Sequence, residues 1–185
     1  KANKSDALIV AAARLGVGAD VSSVEEFSAA LGHGIAPSRL MVTGPNKGTV
    51  LHELALRHGT PIAIDSLGEL SAVAAMARAI ATHGSPAPCI LLRYRTVESA
   101  DSRFGMDDAM MARALESVAS MTALTDVDLI GFSVHLSGYD VAARAAAAER
   151  LVEWCGVARS LGLAPGTIDL GGGWPVRYVE PADRQ

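Results

Sequence analysis

The chain has 185 residues, 50% of them hydrophobic and 19% charged, with a formal net charge of −4; this is the balance of one compact domain with a sizeable core. A negative chain with no basic stripe suits no phosphate backbone, so no nucleic-acid partner is expected. Its apolar stretches break well short of the roughly 20 residues a membrane helix needs, so no membrane partner is expected either.

Lys1-Ala2-Asn3 opens the chain and closes a strand whose beginning lies before it. After Ser5, the residues Leu8, Ile9, Ala12, Ala13 and Leu15 form one helical stripe. Asp20 ends the next apolar run, and Ser23 with Glu26 has capping-box spacing ahead of Phe27, Ala30 and Leu31. Arg39–Thr43 and Pro61–Asp65 are short apolar strands, and Ser66 with Glu69 repeats the capping signature before Leu70, Val73, Ala74 and Ala77. Pro88–Arg93 and Asp128–His135 are further strands; helices are expected from Asp107 to about Met121 and from about Asp140 to Leu161, and a last strand over Thr167–Leu170. Glycines 16, 32, 59, 84 and 162 stand where helix C-caps belong. Cys89 and Cys155 are too few for a disulfide framework or a metal site; they read as buried reduced thiols in a cytoplasmic protein.

The strand runs do not alternate apolar with polar, as expected where both faces of a parallel sheet are covered. Strand and helix in regular succession mean βαβ units, leaving a doubly wound sheet or a barrel. Asp20, Thr43, Asp65, Arg93, His135 and Gly171 each close an apolar run. Polar groups at every strand end suit a barrel, whose carboxyl ends share one mouth. The expected fold is therefore α/β, an incomplete (β/α)8 barrel with about seven of its eight strands, since a full one takes about 250 residues. Residues 1–185 would be one barrel domain cut at both ends.

Each chemically suggestive residue has an ordinary reading beside a functional one. Lys1 could be a solvated surface group, His135 a structural imidazole, Arg93 an ion-paired rim residue, and Asp20 or Asp65 the cap of the next helix. Gly171-Gly172-Gly173 could be a plain turn, or a place where backbone N–H groups approach an anion with no Cβ between.

In their order, these segments resemble the fold-type III pyridoxal-phosphate decarboxylases, the family of ornithine, arginine and diaminopimelate decarboxylases. The resemblance runs through Lys1-Ala-Asn, Gly18-Ala-Asp20, Arg39 to Lys47 with its Gly-Pro-Asn-Lys end, Ile64-Asp65-Ser66 with Glu69-Leu70, Leu92-Arg93 with Ser102-Arg-Phe-Gly105, Gly131-Phe-Ser-Val-His135 and Ile168-Asp-Leu-Gly-Gly-Gly-Trp-Pro175. It implies a pyridoxal 5'-phosphate cofactor, with Lys1 as its Schiff-base lysine and a proton donor in catalysis. His135 would stack on the pyridine ring as the second catalytic residue, and Asp20 and Arg93 would lie near the cofactor. Gly171, Gly172, Gly173 and Ser137 would hold the phosphate. Where the family reads His-x-Gly-Ser, this chain has His135-Leu136-Ser137-Gly138, and Trp174 stands where phenylalanine is usual. The implied activity is decarboxylation of a basic or dicarboxylic amino acid by a cytoplasmic homodimer. An eighth strand and a C-terminal β-domain would lie outside this segment, which alone would be inactive. A racemase on the same barrel and a non-catalytic cofactor-binding relative are the alternatives.

Overall fold

The computed structural model describes residues 5–81, 87–97, 101–122, 127–136, 138 and 140–173. Among them helices and strands alternate as α1 (Asp6–Arg14), β1 (Ala19–Val21), α2 (Val24–Gly32), β2 (Leu40–Val42), α3 (Thr49–His58), β3 (Ile62–Ile64), α4 (Leu67–Ile80), β4 (Cys89–Tyr94), α5 (Asp108–Thr122), β5 (Asp128–Leu136), α6 (Val141–Ser160) and β6 (Thr167–Gly172). Every neighbouring pair of strands is parallel, and the spatial order is β1-β2-β3-β4-β5-β6. That order decides between the two architectures. A doubly wound sheet reverses its strand order at a switch point, whereas a barrel adds each strand on the same side of the last. No reversal occurs here, and the sheet is a curled part-barrel with helices on its outer face. The six strands match six of the seven expected; the other, ending at Lys1-Ala2-Asn3, lies outside the described residues.

Both capping boxes form, with one difference from the expected pattern. Ser23 Oγ accepts from the Glu26 amide and Ser66 Oγ from the Glu69 amide, each at 3.2 Å. Each glutamate then reaches back past the cap. Glu26 accepts from the amide of Ser22 at 2.7 Å and Glu69 from that of Asp65 at 2.7 Å. The helix start is thereby tied to the end of the strand before it.

One helix was not read from the sequence, one cap is corrected, and one stripe is found partly buried. Helix α3 carries no side-chain cap, since its N-cap is Gly48, and this missing start signal hid it in the sequence. Gly32 is the last residue of α2, and the left-handed position falls to Gly34, with φ of 90°. The α1 stripe is only partly buried: Ile9, Ala12 and Ala13 pack against the core, while Leu8 is 51% and Leu15 78% exposed. Leu8, Ile9 and Ala12 line a groove between α1, β1 and α2.

Residues at period 2 divide the sheet into two faces. Val21, Val42, Ile62, Ile64, Ile90, Leu92, Phe132, Val134 and Leu136 belong to the main core with the helices. The register places Leu91, Gly131 and Thr167 side by side, and one layer nearer the carboxyl ends, Arg93, Ser133 and Asp169. Alternate residues on these strands thus point away from the helix-covered core, and the concave face turns polar toward its mouth.

Candidate active site

Parallel strands bring their carboxyl ends to one side, and a cavity of about 230 Å³ opens there. Asp20 of β1, Thr43 and Gly44 after β2, Ala63 of β3, Arg93 of β4, His135 of β5 and Asp169 of β6 all line it. Asp20, Thr43, Arg93 and His135 are four of the strand-end residues picked out in the sequence, so the common opening exists. Neither Asp20 nor Asp65 caps the helix after it; Ser23 and Ser66 do that.

Asp65 instead pairs with Arg93, Oδ1 to Nη1 at 2.5 Å, both largely buried. Arg93 is thus ion-paired and lines the cavity as well. The loop after β4 folds back onto it. Met106 N donates to Arg93 O at 2.9 Å and Arg95 N to Met106 O at 2.8 Å, which brings Phe104 to the cavity wall. The Arg93 guanidinium stands 5.9 Å from the Phe104 ring centre, within cation–π range.

Behind this pair lies a buried charge cluster for which the sequence offered no reading. The Lys47 side chain is 0% exposed. Its Nζ donates to Gly44 O at 2.5 Å and Ala63 O at 2.6 Å, two residues of the cavity wall, and meets Glu69 Oε1 at 3.0 Å. Glu69 also bonds His52 Nε2 at 2.8 Å and accepts the Asp65 amide. Burial drags the Lys47 ammonium below the ordinary lysine value even though Glu69 pulls the other way. Burial also acts to raise the Glu69 carboxyl, but the bond to His52, the Lys47 charge and the Asp65 amide together carry it below the ordinary value. Lys47 and Glu69 are 22 residues apart with a strand between them, so only the fold brings them together.

At the other end of the mouth, β5 and β6 run in register with His135 opposite Gly171 and Leu136 opposite Gly172. His135 is exposed to the opening. A Cβ on Gly171 would stand 2.8 Å from Val134 O and 2.9 Å from His135 Nδ1, so glycine lets the strand end lie against the imidazole. Gly172 has φ of 109°, and a Cβ there would meet Leu136 O at 2.3 Å. Gly173 ends the described run and is exposed. Asp20, Arg93, His135 and the glycines therefore share one end of the sheet. Lys1 and Ser137 lie outside the described residues. Ser133 and Asp169 were not singled out in the sequence, although both fall inside the strand motifs; their place in the wall follows from alternation once Arg93 and His135 are known to face inward.

The sequence model of one family, described as "Pyridoxal-dependent decarboxylase, pyridoxal binding domain", matches residues 1–185. An uncharacterized protein of Sinorhizobium fredii is 37% identical over 186 residues, covering 98% of this chain and 38% of that protein. The diaminopimelate decarboxylase of Zymomonas mobilis is 32% identical over 191 residues, covering 97% of this chain and 44% of its own length. Among solved structures, the diaminopimelate decarboxylase from M. jannaschii superposes with a TM-score of 0.84 at 18% identity, over 99% of this chain and 44% of that one. The likeness in structure shows the shared barrel. The chain spans less than half the length of these relatives.

Proposed function

The chain belongs to the pyridoxal-dependent decarboxylase family and forms its pyridoxal-phosphate-binding barrel, and we propose that the whole protein decarboxylates a basic or dicarboxylic amino acid, with Lys1 as the amine that takes the cofactor's aldehyde. The observation that carries the reading is the register of His135 on Gly171 beside a cavity that Arg93 and Asp20 also line. The donor set fits the cofactor. An exposed imidazole offers a flat face to a pyridine ring, glycine backbone at 171–173 offers amides to a phosphate of charge near −2, and a guanidinium stands across the opening.

When bound, pyridoxal phosphate supplies an electron sink for the pair of electrons left as carbon dioxide departs. The residues of this chain do the rest. His135, exposed at the opening beside Gly171, would lie against the face of the ring and limit its movement. Gly171, Gly172, Gly173 and Ser137 would hold the phosphate end, Asp20 would lie at the aldehyde end, and Lys1 would supply the amine and the proton donor. Arg93, held by Asp65, presents guanidinium N–H donors at the mouth. Relatives named diaminopimelate and ornithine decarboxylase support this substrate class. The C-terminal β-domain and homodimer expected of the full-length protein, like the inactivity of this segment alone, form part of the proposal. Among the described residues no helix is long and apolar enough to cross a membrane.

The test is made on full-length protein loaded with pyridoxal phosphate. Borohydride should abolish the cofactor's visible absorbance and leave label on Lys1, and one or a few L- or D-amino acids from a panel should release carbon dioxide. Label on another lysine would overturn the role of Lys1. Racemisation without carbon dioxide release would overturn the reaction.

A further inference from the structure

Arg144, the fourth residue of α6, is only 3% exposed. Its Nη2 donates to Gly138 O in the loop after β5 at 3.2 Å, and to Gly173 O at the end of the glycine turn. A Cβ on Gly172 would stand 3.2 Å from the same nitrogen, so the guanidinium packs directly against the turn. Ala147, Leu151, Trp154, Cys155 and Ala158 are the other buried residues that fasten this helix to the sheet. Packing alone calls for side chains of that kind, since a guanidinium is costly to bury unless its hydrogens find acceptors. A permanently charged guanidinium has been placed instead where two loops meet, with Nη2 reaching both.

We propose that Arg144 is a positioning residue for the phosphate end of the cofactor, an inference that rests on the site described under Proposed function. By holding the Gly138 and Gly173 carbonyls, it sets the spacing between the loop after the histidine strand and the loop after the glycine strand. The two strand ends would thereby be kept at the separation a single anion needs. Its positive charge against Gly172 also favours a doubly charged phosphate on that turn.

The experiment compares two ligands that differ only in the phosphate. Equilibrium binding of pyridoxal 5'-phosphate and of pyridoxal is measured for the full-length wild type, Arg144→Gln and Arg144→Lys. Arg144→Gln should weaken pyridoxal phosphate by ~10-fold or more, the usual cost of losing charge-assisted hydrogen bonds, and leave pyridoxal within about twofold. Arg144→Lys keeps the charge on a shorter, differently shaped side chain, and should fall between. Equal losses for both ligands would make the residue merely structural and overturn the proposal, as would no loss. If Arg144→Gln does not fold, the lysine variant decides, and an unchanged preference for the phosphorylated ligand overturns it. A wild type that binds no pyridoxal phosphate would overturn the cofactor site itself, a result distinct from an unchanged preference in the variants.

Discussion

Replacing Lys47 by methionine keeps much of the side-chain volume and removes the charge. The consequence follows from what its amine touches: Glu69 at 3.0 Å and the carbonyls of Gly44 and Ala63. Glu69, only 10% exposed, would keep the His52 and Asp65 bonds but lose its buried countercharge. Breaking one partner of a buried pair costs about 3–5 kcal/mol, mostly because the other charge stays behind. Glu69→Gln should cost a similar amount for the mirrored reason. The double variant leaves neither charge, and the new side-chain amide at position 69 can still accept from the Asp65 N–H, so it should cost less than the sum by about 2–3 kcal/mol. Urea unfolding of the full-length protein reads this out. With slopes of about 1–3 kcal/mol/M, each single variant should move the midpoint down by about 1 M or more, and the double by less than the sum. Single costs under about 1 kcal/mol, or strict additivity within about 0.5 kcal/mol, would refute the view that the pair is buried and coupled.

Because the folded state holds the Glu69 carboxyl below its ordinary value of 4.5, the unfolded chain takes up its proton first as pH falls. Stability from Glu69 is thus present above that value and lost as pH drops below it; acid unfolding should be steeper in wild type than in Glu69→Gln, and identical curves would refute it. Gly131→Ala would set a Cβ 2.0 Å from Thr167 O, forcing β5 from β6, and should lower stability by about 3 kcal/mol or more, checked by thermal unfolding. Arg93→Ala leaves Asp65 buried without its partner and should weaken pyridoxal-phosphate binding by ~10-fold or more, with Asp65→Asn recovering part of the lost stability but not the binding. His135→Phe should keep cofactor binding far better than His135→Ala if ring stacking is its role, measured by the visible absorbance at saturating cofactor.

Much of the barrel was legible because its signals are local. Capping serines at 23 and 66, β-branched runs and regular alternation depend on residues within one turn or one strand of each other. The strand-end residues were legible for a related reason: a strand end carries its polar side chain at a fixed offset from the apolar run, as His135 and Arg93 do. Helix α3 was lost where the local signal is absent, at the uncapped Gly48. The Lys47–Glu69–His52 cluster and the grip of Arg144 on two loops were illegible, since each joins residues from separate βαβ units.

The amino-acid sequence by itself determined the elements, their alternation and the chemical character of each strand end, because those depend on hydrogen bonds and side-chain spacing along a few residues. It left the choice between open sheet and barrel to an argument from strand ends. The tertiary structure decided that choice through the unreversed order β1 to β6. It also decided which partners the charged side chains find: Asp65 for Arg93, Glu69 for Lys47, two carbonyls for Arg144. Such pairings form only where the curled sheet excludes water, and the cost of burying a charge is what makes each of them specific.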